Sequence, residues 1–313
     1  MKRKIRTCLL VAMFVAAVPT ISFAQLVAAK DGPVVYGHHH LNVTSVEDHQ
    51  KFWVDTLGGV PAKLGPMDIV KFPNVLMIFT PMPPTGGTKG SSVNHIGFQV
   101  PNLRTTLDLV KEAGYPIVTR EELPPSYQPF EKDGIAVIED QDTVVAFVMA
   151  PDDTKVELFE VKEMEGSIAL HHIHFAAPDV VEMQAWYAKV FGAKPGKRGV
   201  FDAAALPGVS LTFSPASAPS TSDDREGREV VLGVNTGDRQ LGIFGQGATK
   251  GRALDHIGFE VQNLEAFTKQ LEEMGIPFDL PYTAIPTLDL GIAFLTDPWG
   301  TYIELTEGLD EIQ

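Results

Sequence analysis

The chain has 313 residues, 44% of them hydrophobic, with a formal net charge of −15 and a single cysteine. A surface this acidic argues against nucleic acid or an anionic membrane as partner, and one cysteine excludes an internal disulfide framework. The length suffices for two compact domains or one large one.

The N-terminus, MKRKIRTCLLVAMFVAAVPTISFAQ, has a basic start, an apolar run and small residues at Ser22 and Ala24. This is the pattern of a secretory signal peptide over residues 1–24, cut after Ala24, and it predicts a periplasmic or secreted protein. The apolar run is too short to span a bilayer. Cleavage would remove Cys8 and four basic residues, leaving a net charge of −19 and no thiol. An N-terminal segment, 25–35, leads into the first strand.

YGHHHLNV, residues 36–43, places three consecutive histidines in a strand-like alternation, and LHHIHFAAPDV at 170–180 repeats the pattern. Sliding the chain by 134 lays His38 on His172, His40 on His174, Phe52-Trp53 on Trp186-Tyr187 and Gly58 on Gly192. At an offset of 161, TKGSSVNHIGFQVPNL meets TKGRALDHIGFEVQNL, and at 147 the endings APDDTKVELFE and DPWGTYIELTE align, with Glu157 on Glu304. Residues 36–163 and 170–308 are therefore two copies of one unit, the second carrying an insertion at about 216–248 predicted to lie on the surface.

Each copy is itself double. A histidine-bearing strand, a turn, an amphipathic helix ending near glycine and about three short strands recur, which predicts four βαβββ modules. The expected class is α+β, with sheets curled into two half-open barrels and helices outside.

Strand side chains alternate faces, so His38 and His40 share one side, as do His172 and His174, with His39 and His171 turned away. Each copy offers two histidines and a glutamate: His38, His95 and Glu157 in the first, His172, His256 and Glu304 in the second. A lone strand histidine is more often a hydrogen-bonded core residue than a ligand, and a lone glutamate more often faces water. Recurrence of all three at matching positions favours a set suited to a divalent ion with coordination positions left open. His40 and His174 are the candidate bases, because imidazole titrates near neutral pH. Gly97 and Gly258 occupy the matching positions of the second modules and are expected to leave space for substrate. Tyr127 and Tyr282, in loop-like stretches, are candidate substrate contacts at the cavity mouths.

HHIHFAAPDVVEMQAWYAKVFG, DHIGFEVQNLEAF and DPWGTYIELTEG resemble the vicinal oxygen chelate superfamily of glyoxalases, extradiol dioxygenases and bleomycin- and fosfomycin-resistance proteins. The resemblance implies His38, His95, His172 and His256 as first-strand ligands, Glu157 and Glu304 as last-strand ligands, and two bound divalent ions per chain (Fe, Mn, Zn or Ni). NVLMIFTP and GVSLTFSP lack the further glutamate of glyoxalase I, and YTAIPTLDLGIAFLTDPWGTYIE lacks the histidine and tyrosine pattern of extradiol enzymes. The implied function is metal-dependent proton-transfer chemistry, as a lyase or isomerase, on a small molecule with adjacent oxygens. An Fe(II) extradiol-type dioxygenase and a non-catalytic resistance protein are the alternatives, and a homodimer is compatible with the pattern.

Overall fold

The computed structural model describes residues 26–32, 34–123, 134–139, 142–216 and 247–309. The signal-like segment, Tyr127 and most of the 216–248 insertion lie outside them.

The four modules form as the periodicity predicts. The first holds β1 (Val34–Val43), α1 (Val46–Gln50) continuing into a π-helical turn over Lys51–Thr56, β2 (Val60–Leu64), β3 (Met67–Phe72) and β4 (Val75–Pro81). The second holds β5 (Val93–Val100), α2 (Leu103–Glu112), α3 (Thr119–Glu122), β6 (Ala136–Ile138), β7 (Thr143–Ala150) and β8 (Thr154–Glu160). The third comprises β9 (Ala169–Ala177), α4 (Val180–Phe191), β10 (Lys194–Arg198), β11 (Phe201–Leu206) and β12 (Val209–Pro215). The fourth comprises β13 (Leu254–Val261), α5 (Leu264–Glu273), β14 (Leu280–Ile285), β15 (Leu290–Thr296) and β16 (Tyr302–Glu307).

Each main helix starts at a side chain that accepts a backbone N–H of the first turn: Ser45, Asn102, Asp179 and Asn263. Such caps satisfy donors that the helix itself leaves open, and losing one costs about 1 kcal/mol.

Two eight-stranded mixed sheets result, ordered β14-β15-β16-β13-β1-β4-β3-β2 and β10-β11-β12-β9-β5-β8-β7-β6. Module one thus pairs with module four, through antiparallel β1 and β13, and module two with module three, through β5 and β9. This corrects the expected grouping into sequence halves, 36–163 and 170–308. Every module presents the same first-strand edge, so one repeat alone does not say which partner it takes.

The main core lies between the two sheets. Phe72 of β3 meets Phe98 of β5 at a centroid distance of 5.1 Å, and Phe191 of α4 stacks on Phe259 of β13 at 4.6 Å. Phe52, Trp53 and Tyr187 are fully buried there. Burial of rings of this size dominates core energetics. The opposite, concave faces point outward from this sandwich and carry the histidines.

The two concave faces differ. That of the β1/β13 sheet is filled by an apolar cluster of Leu26, Leu64, Ile69, Leu76, Ile78 and Leu290. Strand register sets Leu76 and Ile78 beside His38 and His40, while Ser210 and Thr212 stand beside His172 and His174. Ala203 likewise replaces Ile69, and Arg198 replaces Leu64. The β5/β9 sheet consequently keeps a cavity of about 240 Å³ on its concave face.

Candidate metal centres

All six residues nominated as ligands fall into two clusters, but not in the expected trios. His38, His256 and Glu304 converge with His40, and His95, Glu157 and His172 converge with His174. The exchange follows from the sheet pairing, since a first-strand histidine meets the partner module across the β1/β13 or β5/β9 seam.

At the Glu304 centre, His38 Nε2 and His256 Nε2 lie 2.9 and 3.0 Å from the same oxygen, Glu304 Oε2. At the Glu157 centre, His95 Nε2 and His172 Nε2 lie 3.0 and 3.5 Å from Glu157 Oε2 and 3.4 Å from each other. Donors about 2.1 Å from one ion stand about 3.0 Å apart at right angles and about 3.4 Å apart at tetrahedral angles. The residues therefore fit a divalent ion bound through two neutral imidazoles and a carboxylate.

The charge states agree with that fit. Burial lowers His38 and His172, and takes His95 down to about 3 against the opposing pull of Glu157. Burial alone would raise both glutamates, yet the imidazoles beside them, joined at Glu157 by Arg198, hold both carboxyls well below the usual range. His256 is the exception: burial opposes its charge, but hydrogen bonds to Asp255 and Glu304 outweigh it and raise its pKa.

Outer partners orient the rings. Asp255 Oδ1 accepts from His256 Nδ1 at 2.7 Å and is itself held by Gly251 N and Asn42. At the Glu157 centre the equivalent partner of His95 Nδ1 is neutral Asn94, at 2.9 Å. Such contacts fix tautomer and orientation.

Gly97 and Gly258 correct an expectation. The room they leave holds protein, because a Cβ on Gly97 would strike the His172 ring and one on Gly258 the His38 ring. Glycine is needed there so that the facing imidazole can lie over the strand.

His40 and His174 bind hydroxyls through Nε2, Thr80 at 2.7 Å and Ser214 at 2.6 Å, and burial takes His40 to about 3 and His174 well below its ordinary value. His39 does turn away, its Nδ1 2.7 Å from Tyr36 OH. His171 does not: it sits at the irregularity between Leu170 and His172, 3.0 Å from His172 Nδ1 and stacked on Phe159. Gly37 holds its place in module one, so His39 and His171 are not equivalents.

Tyr282 is 36% exposed on β14 and, with Leu264 of α5, borders Gly291 on the helix-bearing side of the sheet. Tyr302, 5.6 Å from His256, is a tyrosine at the Glu304 centre. The residue missed by sequence reasoning is Arg198, whose Nη2 donates to Glu157 Oε1 at 3.0 Å. Its signal was a charge aligned with Leu64.

Comparison with known proteins supports the same assignment. Residues 169–305 match the Glyoxalase/Bleomycin resistance protein/Dioxygenase superfamily model. Glyoxalase I from Zea mays superposes with a TM-score of 0.60 at 15% identity, covering 90% of this chain and 95% of that one. A putative dioxygenase from Bacillus subtilis gives 0.54 at 13% identity, covering 87% and 84%. No curated protein matches in sequence. Residues 169–305 thus match that superfamily's model, and the chain as a whole shares the fold of these structures, with four βαβββ modules in one polypeptide.

Proposed function

We propose that the protein is an exported, divalent-metal-dependent enzyme acting on a small molecule with adjacent oxygens, with the Glu157 centre as its working site. The observation that carries this reading is the cavity against His95, Glu157 and His174. The Glu304 centre, closed in by leucine and isoleucine, serves as a structural metal site.

His95, His172 and Glu157 would hold a divalent ion, which when bound would supply positive charge to adjacent substrate oxygens and so favour loss of a neighbouring proton. The chain does the rest. Asn94 and His171 hold the ligand rings, and the apolar wall excludes water. His174, which borders the cavity, is the chain's own candidate to take the proton in a lyase or isomerase step. The two-histidine, one-carboxylate set also suits Fe(II), so oxygen uptake with catechols is the check on a dioxygenase reading.

The primary test is metal content of untagged protein, parent against His95→Ala and His256→Ala, alongside turnover of diols and α-hydroxycarbonyls. The reading expects two equivalents falling to one in each variant, with turnover lost only in His95→Ala. A parent that takes up no metal on reconstitution would overturn it.

A further inference from the structure

The two centres differ in charge as well as space. At the Glu304 centre, Glu304 and Asp255 bring two carboxylates, enough to balance a divalent ion. At the Glu157 centre, Asn94 stands in the place of Asp255, and Arg198 cancels Glu157 through its 3.0 Å contact. Lys155, two residues before Glu157 on the same strand face, is buried and brings a further cation, paired with Glu122 at 2.7 Å. Its counterpart at the Glu304 centre is uncharged Tyr302, whose ring has the solvent-exposed Lys250 ammonium 4.0 Å away, where water screens it. An ion bound by the Glu157 set would thus leave two positive charges unbalanced in a largely enclosed space, which is costly unless the ligand brings negative charge.

Arg198 is placed to receive it. The guanidinium borders the cavity, only Nη2 is taken up by Glu157, and Nε is buried without a partner. A guanidinium offers its donors in a planar fork that matches a carboxylate. The remaining wall is apolar: Leu123, Val145, Phe147, Phe159, Val200 and Phe201. The volume, about 240 Å³, suits a molecule smaller than a typical drug.

Building on the proposed function, we infer that the substrate is a small carboxylate with an aromatic or branched apolar body, and that Arg198 binds its carboxylate. Selectivity for anions then comes from Arg198, while the phenylalanine-rich wall receives the body.

The test uses phenylacetate and its neutral isostere phenylacetamide as probes, titrated calorimetrically into the zinc-loaded full chain, for the parent, Arg198→Gln and Arg198→Lys, with metal content measured on each sample. Phenylacetate should bind the parent about tenfold or more tightly than the amide. Arg198→Gln should lose that preference while keeping two metal equivalents, and Arg198→Lys should keep part of it. In the parent alone, phenylacetate and not the amide should slow butanedione modification of Arg198, mapped by mass spectrometry, which tests the contact without relying on a variant. Undiminished preference in a metal-replete Arg198→Gln protein, unslowed modification, or binding of neither probe at millimolar concentration would each overturn the inference. A parent lacking metal at the Glu157 centre would instead sink the proposed function itself, so the two failures are distinguishable.

Discussion

Replacing Gly97 with alanine probes the Glu157 centre without touching any donor atom. The new methyl would occupy the space of the His172 imidazole, which must move by about 1.5 Å to regain van der Waals contact. His172 Nε2, now 3.5 Å from Glu157 Oε2 and 3.4 Å from His95 Nε2, then leaves the donor set. Loss of an outer-shell partner already weakens metal binding ten- to a hundredfold, and loss of a ligand should exceed that. Overpacking adds about 1–3 kcal/mol of destabilisation, a fall of several degrees in the melting temperature of a chain this size. Elemental analysis after dialysis should give one equivalent in place of two, with thermal denaturation recorded in parallel. Gly258→Ala should do the same at the Glu304 centre by displacing His38. Two equivalents and an unchanged melting curve in Gly97→Ala would refute the claim that glycine there exists to admit the imidazole.

Other outcomes follow from the same geometry. Glu157→Gln should remove one equivalent of metal and, in metal-free protein, cost about 3 kcal/mol by leaving Arg198 without its carboxylate, as read by denaturant titration. Leu76→Ala, in the packed concave face, should cost about 2–5 kcal/mol, whereas Ser210→Ala at the equivalent register position should cost under about 0.5 kcal/mol. Metal-free protein should lose stability as pH falls below 6.5. Burial takes His39, His40, His95 and His171 down to about 3, so between these values the unfolded chain binds more protons. Each contributes a slope of up to about 1.4 kcal/mol per pH unit, positive with pH, and nothing above 6.5. The raised His256 opposes this trend, and a melting temperature flat from pH 7 to pH 5 would refute the balance.

Much of the architecture was readable from repetition. His38, His95, His172 and His256 occur at the head of recurrent strand–helix patterns, and the structure gives each a first strand with a capped helix after it. The partnership of modules was not readable, because β1 and β9 can each seat a histidine over a facing glycine in the same way, and His38 over Gly258 is chemically the same contact as His172 over Gly97. Hence the six residues were named correctly as neighbours of something while their trios were misassigned. Alternation also misplaced His171, since it supposes an unbroken pleat and a bulge flips the side chain. Arg198 and the contrast of Leu76 and Ile78 with Ser210 and Thr212 lay open in the offset of 134, as places where the copies differ.

The pairing of modules also has a temporal meaning. The second and third modules are contiguous in the chain and finish at Pro215, so their sheet needs nothing made later. The first module must wait for the fourth, which carries Glu304, so until then β1 carries an open edge and two unmatched histidines. A chain made in this order therefore closes through its second and third modules first, and β1 is the strand longest in need of protection from wrong partners.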